Sequence, residues 1–395
     1  MSSFGWLDAD AGARRRMLEV IDLFREPGTV DELGIGAVRD ALSDMLFPGT
    51  SVLHTRLRYV LFLPWLLQRA ADGGGTHDEM REHFRTHEYQ LIPSLEAGGE
   101  STGVFGRVAG GELKRLPSIA YWSALTTWGI VRADSTNAFF RSAADLRALQ
   151  RRTPTSDDPE SRGWMPQPAL DPALPPAPHH LLKATSFALT ADEAGYLSDR
   201  IAESTAGTAL AWLCEHPPGE LPDAAWDIDL TQAPTTIRNQ LDHAHRFSLA
   251  INGASILYNL LLAEQIDNPD RIDRYRALLD SWATEIRVTR VLDDWDRADW
   301  WNTILHQNAR VAAGAQRFIN RWLDHVTASA DIADDPAARE LVRDREIQIK
   351  RGRARLANRA ALDSWNGDSG MGRLMFRWHI VRNHLADLAD GRAAA

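Results

Sequence analysis

The residues best equipped for chemistry are guanidinium and ammonium groups near the C-terminal end. Within AARELVRDREIQIKRGRARLANRAAL (337–362) stand Lys350, Arg351, Arg353, Arg355 and Arg359. Read as one helix, Arg351, Arg355 and Arg359 recur every four residues and form a stripe. The stripe runs beside an apolar seam of Val342, Ile349 and Leu356. Arg373 and Arg377 follow in GRLMFRWHIVRNHL. Rows of guanidinium groups suit phosphate oxygens, and they suit carboxylates equally well. A second basic group, Arg107, Lys114 and Arg115, leads into PSIAYWSALTTWG. Together these residues, Arg353 excepted, form the expected nucleic-acid-binding set.

Other clusters point to metals or nucleophiles with less force. His83 and His87 are i, i+4 in HDEMREHFRTHE, a spacing that can share a divalent ion, with Glu79, Glu82 and Glu88 as further donors. The residue after His83 is Phe84, where a metalloprotease helix needs Glu. His243 and His245 are two apart and face differently on a helix. Asp293, Asp294, Asp296 and Asp299 surround Trp295 in VLDDWDRADWW and could hold a magnesium ion. Acidic residues before a helix also answer to its N-terminal dipole. No G-x-S-x-G elbow and no Walker sequence occurs. Cys214, with His216 nearby, reads as a buried thiol. The loop NGDSGMG (366–372) could present backbone N–H groups to a phosphate.

The elements that must position these groups are helical. Apolar residues recur with a helical period in 12–24, 30–46, 51–70 and 77–92. The third of these contains Pro64, and the fourth should stop before Pro93. Pro117 suits a first helical turn, and Gly129 suits a left-handed stop. Tyr121, Leu125 and Trp128 share one face, and IVRAD (130–134) could follow as a short strand. That order permits a winged-helix-like unit. Residues 153–180 hold eight prolines and read as an extended linker. Thr190 and Glu193 make a capping box. The region 243–266 is the most apolar helix, and 300–328 reads as another long one. The expected fold is mainly α, with two helical domains joined by a Pro-rich linker. The expected segments are 1–152, 153–182, an acidic helical domain at 183–330, and a basic C-terminal segment at 331–395.

Composition bounds the classes. With 395 residues, 44% hydrophobic and 25% charged, the chain has the profile of a soluble globular protein. A formal charge of −10 excludes indiscriminate coating of nucleic acid, while residues 101–152 and 341–382 are locally basic. A single cysteine precludes an intrachain disulfide and fits a reducing cytoplasm. No secretory signal or membrane-spanning run is apparent. The fourteen tryptophans read as core anchors.

The chain resembles a known family through several blocks. These are SFGWLD near the start, DLFREPGTVDELGIGAVRDALSDMLFPGTSVLHTRLRYVLFLPWL (22–66), GVFGRVAGGELKRLPSIAYWSALTTWGI (103–130) and GMGRLMFRW (370–378). They are similar to uncharacterised bacterial proteins grouped as domain of unknown function 6361. That resemblance implies a cytoplasmic protein from mobile or anti-phage gene neighbourhoods. Its implied partners are a helicase or a phospholipase-D-like nuclease, and it supplies no catalytic residues to carry over. The leading expectation is a non-catalytic subunit of a bacterial defence or nucleic-acid-processing complex, contacting DNA or RNA phosphate without a cofactor. The alternatives are a metal-dependent phosphoester hydrolase and a protein–protein scaffold.

Overall fold

A computed structural model describes residues 31–107, 116–151 and 169–394. Among these residues the protein is mainly helical, with fourteen α-helices and no strand. The expected helix at 12–24 lies outside the described residues, as do Lys114 and Arg115. The chain forms two compact units, and each is discontinuous. Unit 1 comprises Met1–Ser43 and Asn239–Phe376; unit 2 comprises Asp44–Arg238 and Arg377–Ala395. This differs from the consecutive segments expected, because the C-terminal segment is divided between the units.

Unit 2 contains α2 (Tyr59–Gly73), α3 (His77–Ala97), α4 (Pro117–Thr127), α5 (Thr136–Arg151), α6 (Ala191–Ser204), α7 (Ala209–Glu215) and α14 (Trp378–Ala393). α2 is buried along most of its length and keeps Pro64 within it. Thr76 and Glu79 form a capping box at the start of α3. α3 does not stop before Pro93 but runs through it to Ala97. Pro93 is exposed and can donate no hydrogen bond to the preceding turn. Thr190 and Glu193 form the expected capping box at α6. Pro117 opens α4, and Gly129 follows it at φ +70°, the left-handed conformation that glycine adopts without strain.

Tyr121, Leu125 and Trp128 are fully buried. The strand expected at 130–134 is reduced to one antiparallel bridge between Val131 and Leu170. Among the described residues there is no strand pair to make a wing. The described end of the Pro-rich segment is pinned by the Trp65 indole, which donates to Pro175 O at 2.7 Å. α14 is tied to the start of α2 by Asp387. That carboxylate accepts from Leu57 N at 2.8 Å and pairs with Arg56 at 2.7 Å.

Unit 1 is built around α8 (Thr235–Gln265), whose first residues belong to unit 2. Around it stand most of α1 (Gly36–Leu46), α9 (Pro269–Thr289), α10 (Arg297–Gln307), α11 (Ala313–Ala328), α12 (Pro336–Lys350) and α13 (Arg359–Asp363). By length and composition α8 alone among the described helices could cross a membrane, but 89% of its apolar window is buried inside the protein. A helix apolar all round is a core helix when other helices surround it. Trp282 and Trp322 donate their indole N–H groups to Leu249 O and Ala250 O of α8, at 2.8 and 2.9 Å. The long helix expected at 300–328 is two helices, α10 and α11, with the break at 308–312.

Candidate anion-binding site

The expected C-terminal basic stripe is not a stripe. α12 ends at Lys350, Arg351 takes φ +52°, and a 3₁₀ turn spans Arg351–Arg353. The cause is Glu346, whose buried carboxylate accepts from Arg355 N at 2.7 Å and Leu356 N at 3.1 Å. These two bonds draw the chain back along the helix it has just left. Arg351, Arg355 and Arg359 therefore cannot share a helical face.

Most of the expected cations are closed by the protein's own acids. Lys350 pairs with Glu32 and lies 3.3 Å from Glu346. Arg355 meets Glu32 at 2.9 Å and Ser369 Oγ at 2.8 Å. Arg359 pairs with Asp363 at 3.1 Å, and Arg373 forks onto Glu285, one arm at 2.9 Å. In unit 2, Arg377 binds Asp44 at 2.6 Å and Thr50 O at 2.9 Å. Arg107 lies 3.7 Å from Glu96 and donates to Ser101 O. Arg351 is exposed without an ion pair among the described residues.

The metal alternatives are dispersed in the same way. Among the described residues no three His, Cys, Asp or Glu side chains gather to hold an ion. Glu88 is buried, and it accepts from Ser118 N at 2.8 Å and Ser118 Oγ at 3.1 Å. It thereby caps α4, and burial pushes its carboxyl up to about 7. Asp296 caps α10 through Ala298 N and Asp299 N, while Asp293 pairs with Arg290 at 2.6 Å. His243 Nδ1 accepts from the Trp295 indole at 3.0 Å, which leaves Nε2–H to donate to Asp299 at 3.1 Å. Cys214 is buried, and burial pushes its thiol up to about 12, too high for a nucleophile. In the loop 366–372, Asn259 Oδ1 accepts from Ser369 N at 3.0 Å. Its amide donates to Ser369 O at 2.8 Å. That loop is packed on α8 by its own hydrogen bonds.

An open cationic site lies elsewhere in unit 1, between α11 and α12. Gly314, Arg317, Phe318 and Arg321 of α11 face Leu341, Asp344, Arg345 and Gln348 of α12 across a cavity of about 400 Å³. Arg317 and Arg321 are exposed, i, i+4 on α11, and neither has an ion pair among the described residues. Arg345 is buried with only neutral acceptors: Leu33 O at 2.8 Å, Gly34 O at 3.0 Å and Gln348 Oε1 at 3.2 Å. Its guanidinium lies over the Phe318 ring, 5.5 Å from the centroid. Burial lowers its pKa, the nearby Asp31 carboxylate opposes that shift, and the Arg317 charge adds to it. The first turn of α11 joins the wall through Gly314, and its N-cap, Ala312, offers no side-chain cap. Unsatisfied N–H groups and the helix dipole favour an anion there. Asp344 is the one carboxylate in the lining.

Sequence reading did not single out these arginines. The spacing of Arg317 and Arg321 was visible; the position of Arg345 depends on contacts with residues 33 and 34, more than three hundred positions away in the chain.

The model of a family of unknown function (DUF6361) matches residues 1–392. No curated protein and no solved structure matches the chain.

Proposed function

We propose that this chain, which belongs to the DUF6361 family, is a non-catalytic nucleic-acid-binding subunit that holds phosphate between α11 and α12. One observation carries the reading. Among the described residues, a buried guanidinium bonded only to neutral oxygens stands beside two arginines without ion pairs, in one concavity with a single carboxylate in its lining. A buried guanidinium with no carboxylate directly bonded to it favours a counter-ion, and arginine matches phosphate oxygens in geometry as well as charge. Side chains at defined positions also suit an acidic protein better than a diffuse basic surface. On this reading cleavage or unwinding would fall to a partner, such as the helicase or phospholipase-D-like nuclease that the family resemblance implies.

The test is a titration of labelled single-stranded and duplex DNA at several salt concentrations, read by fluorescence anisotropy. Arg317→Ala/Arg321→Ala should weaken binding and lower the salt slope on duplex by about 2, since each phosphate contact contributes about 0.9. Arg359→Ala/Arg373→Ala, which removes cations already paired, should change both far less. An Arg317/Arg321 variant that binds like the parent, or a parent that binds no nucleic acid, overturns the reading.

A further inference from the structure

We infer that the α11–α12 pocket takes a terminal phosphomonoester, the phosphorylated end of a nucleic-acid strand, in preference to an internal phosphodiester. This rests on the phosphate-binding reading above and narrows its ligand. The first argument is charge. A phosphomonoester carries about −1.5 to −2 at neutral pH and three acceptor oxygens, whereas a diester carries one negative charge. In the lining Arg317, Arg321 and Arg345, with the start of α11, oppose one carboxylate, Asp344, while Asp31 acts on Arg345 from outside the lining. That surplus matches a dianion more closely than a monoanion.

The second argument is donor supply. Three of the five guanidinium N–H groups of Arg345 are held by Leu33 O, Gly34 O and Gln348 Oε1. Two are left for a ligand, on a group already fixed in place. Exposed Arg317 and Arg321 can each add a fork.

The third argument is shape. The cavity of about 400 Å³ is large enough for a phosphoryl group with its attached sugar. Duplex binding through the backbone uses a track of cations, roughly 6–10 contacts for a tightly salt-dependent protein. Here Arg355, Arg359 and Arg373 are each paired with a carboxylate, and of the expected C-terminal cations Arg351 is exposed without an ion pair among the described residues.

The experiment uses the full chain and oligonucleotides of one sequence, single-stranded and duplex, ending in 5′-phosphate, 3′-phosphate or hydroxyl. Competition with a nucleoside monophosphate, inorganic phosphate and a phosphopeptide runs in parallel. A phosphorylated end should bind about tenfold tighter than a hydroxyl end, a margin of about 1.4 kcal/mol. The margin should shrink below about pH 6, where the monoester loses its second charge. It should vanish in Arg317→Ala/Arg321→Ala and recover only partly in Arg317→Lys/Arg321→Lys. If phosphate and hydroxyl ends bind alike while the alanine variant weakens both, this inference fails and the nucleic-acid reading survives. If the alanine variant keeps the full margin, the pocket is not the site and both fail. A phosphopeptide or the free monophosphate competing better than the oligonucleotide end overturns the choice of a strand end.

Discussion

At position 253 the Trp282 indole leaves room for a hydrogen and nothing larger. A Cβ built there would meet three ring carbons at 2.3 to 2.6 Å. The same indole donates to Leu249 O, so the ring cannot back away without losing a buried hydrogen bond. Gly253→Ala gains helix propensity in α8 of about 1 kcal/mol. Overpacking against a tethered tryptophan costs about 1–3 kcal/mol, and at such short distances the upper end applies. The expected result is a net loss of stability, read as a lower urea midpoint; an unchanged or raised midpoint would refute the packing argument. Residue identity alone showed that tryptophans would anchor the core, and Trp65, Trp128, Trp300, Trp322 and Trp378 are fully buried. It could not show which glycine one of them leans on. Arg345 was hidden for a related reason: its neighbours on α12 read as a charged surface, while its own side chain is buried against carbonyls from residues 33 and 34.

Among the elements, the end of α12 separates what periodicity reveals from what it cannot. Capping at Thr190 and the start and stop of α4 depend on residues within one turn, so they were legible. The break after Lys350 depends on Glu346 reaching forward nine and ten residues to backbone N–H groups, which no local pattern encodes. Glu346 also accepts from the Tyr258 hydroxyl at 2.9 Å and lies 3.3 Å from Lys350. Glu346→Ala would leave buried N–H donors unsatisfied and shift the charge balance around Glu32. Breaking a buried ionic network in this way costs about 3–5 kcal/mol. Chemical denaturation should show that loss, and a loss under about 1 kcal/mol would mean that Glu346 does not hold the turn. The strand expected after α4 failed for the opposite reason. IVRAD has strand composition, but among the described residues its pairing is the single bridge to Leu170, and β structure needs a partner.

For the molecule as a whole, acid sensitivity follows from two histidines in unit 2. His54 and His384 are buried with ring centroids 5.4 Å apart, and Tyr121 stacks on His54 at 4.0 Å. His54 Nε2 meets Ala120 O at 3.1 Å, while both ring nitrogens of His384 lack a hydrogen-bond partner among the described residues. Burial holds His384 down to about 3, and burial together with the neighbouring His384 holds His54 well below 6.5. The folded pKa values are depressed, so the stabilisation is complete above pH 6.5. It is lost as pH falls below 6.5, because the unfolded chain takes up protons first. Unfolding free energy measured from pH 7.5 to 4 should drop on the acid side, and His384→Phe should make that limb shallower. An unchanged limb would assign the loss to other groups. The division of the chain has its own consequence for synthesis. α14 belongs with helices encoded much earlier, and Asp387 closes onto Arg56 and Leu57, 331 and 330 residues before it. On the ribosome, unit 2 must wait incomplete while unit 1 emerges, and a nascent chain stopped after residue 376 would lack the piece that finishes it.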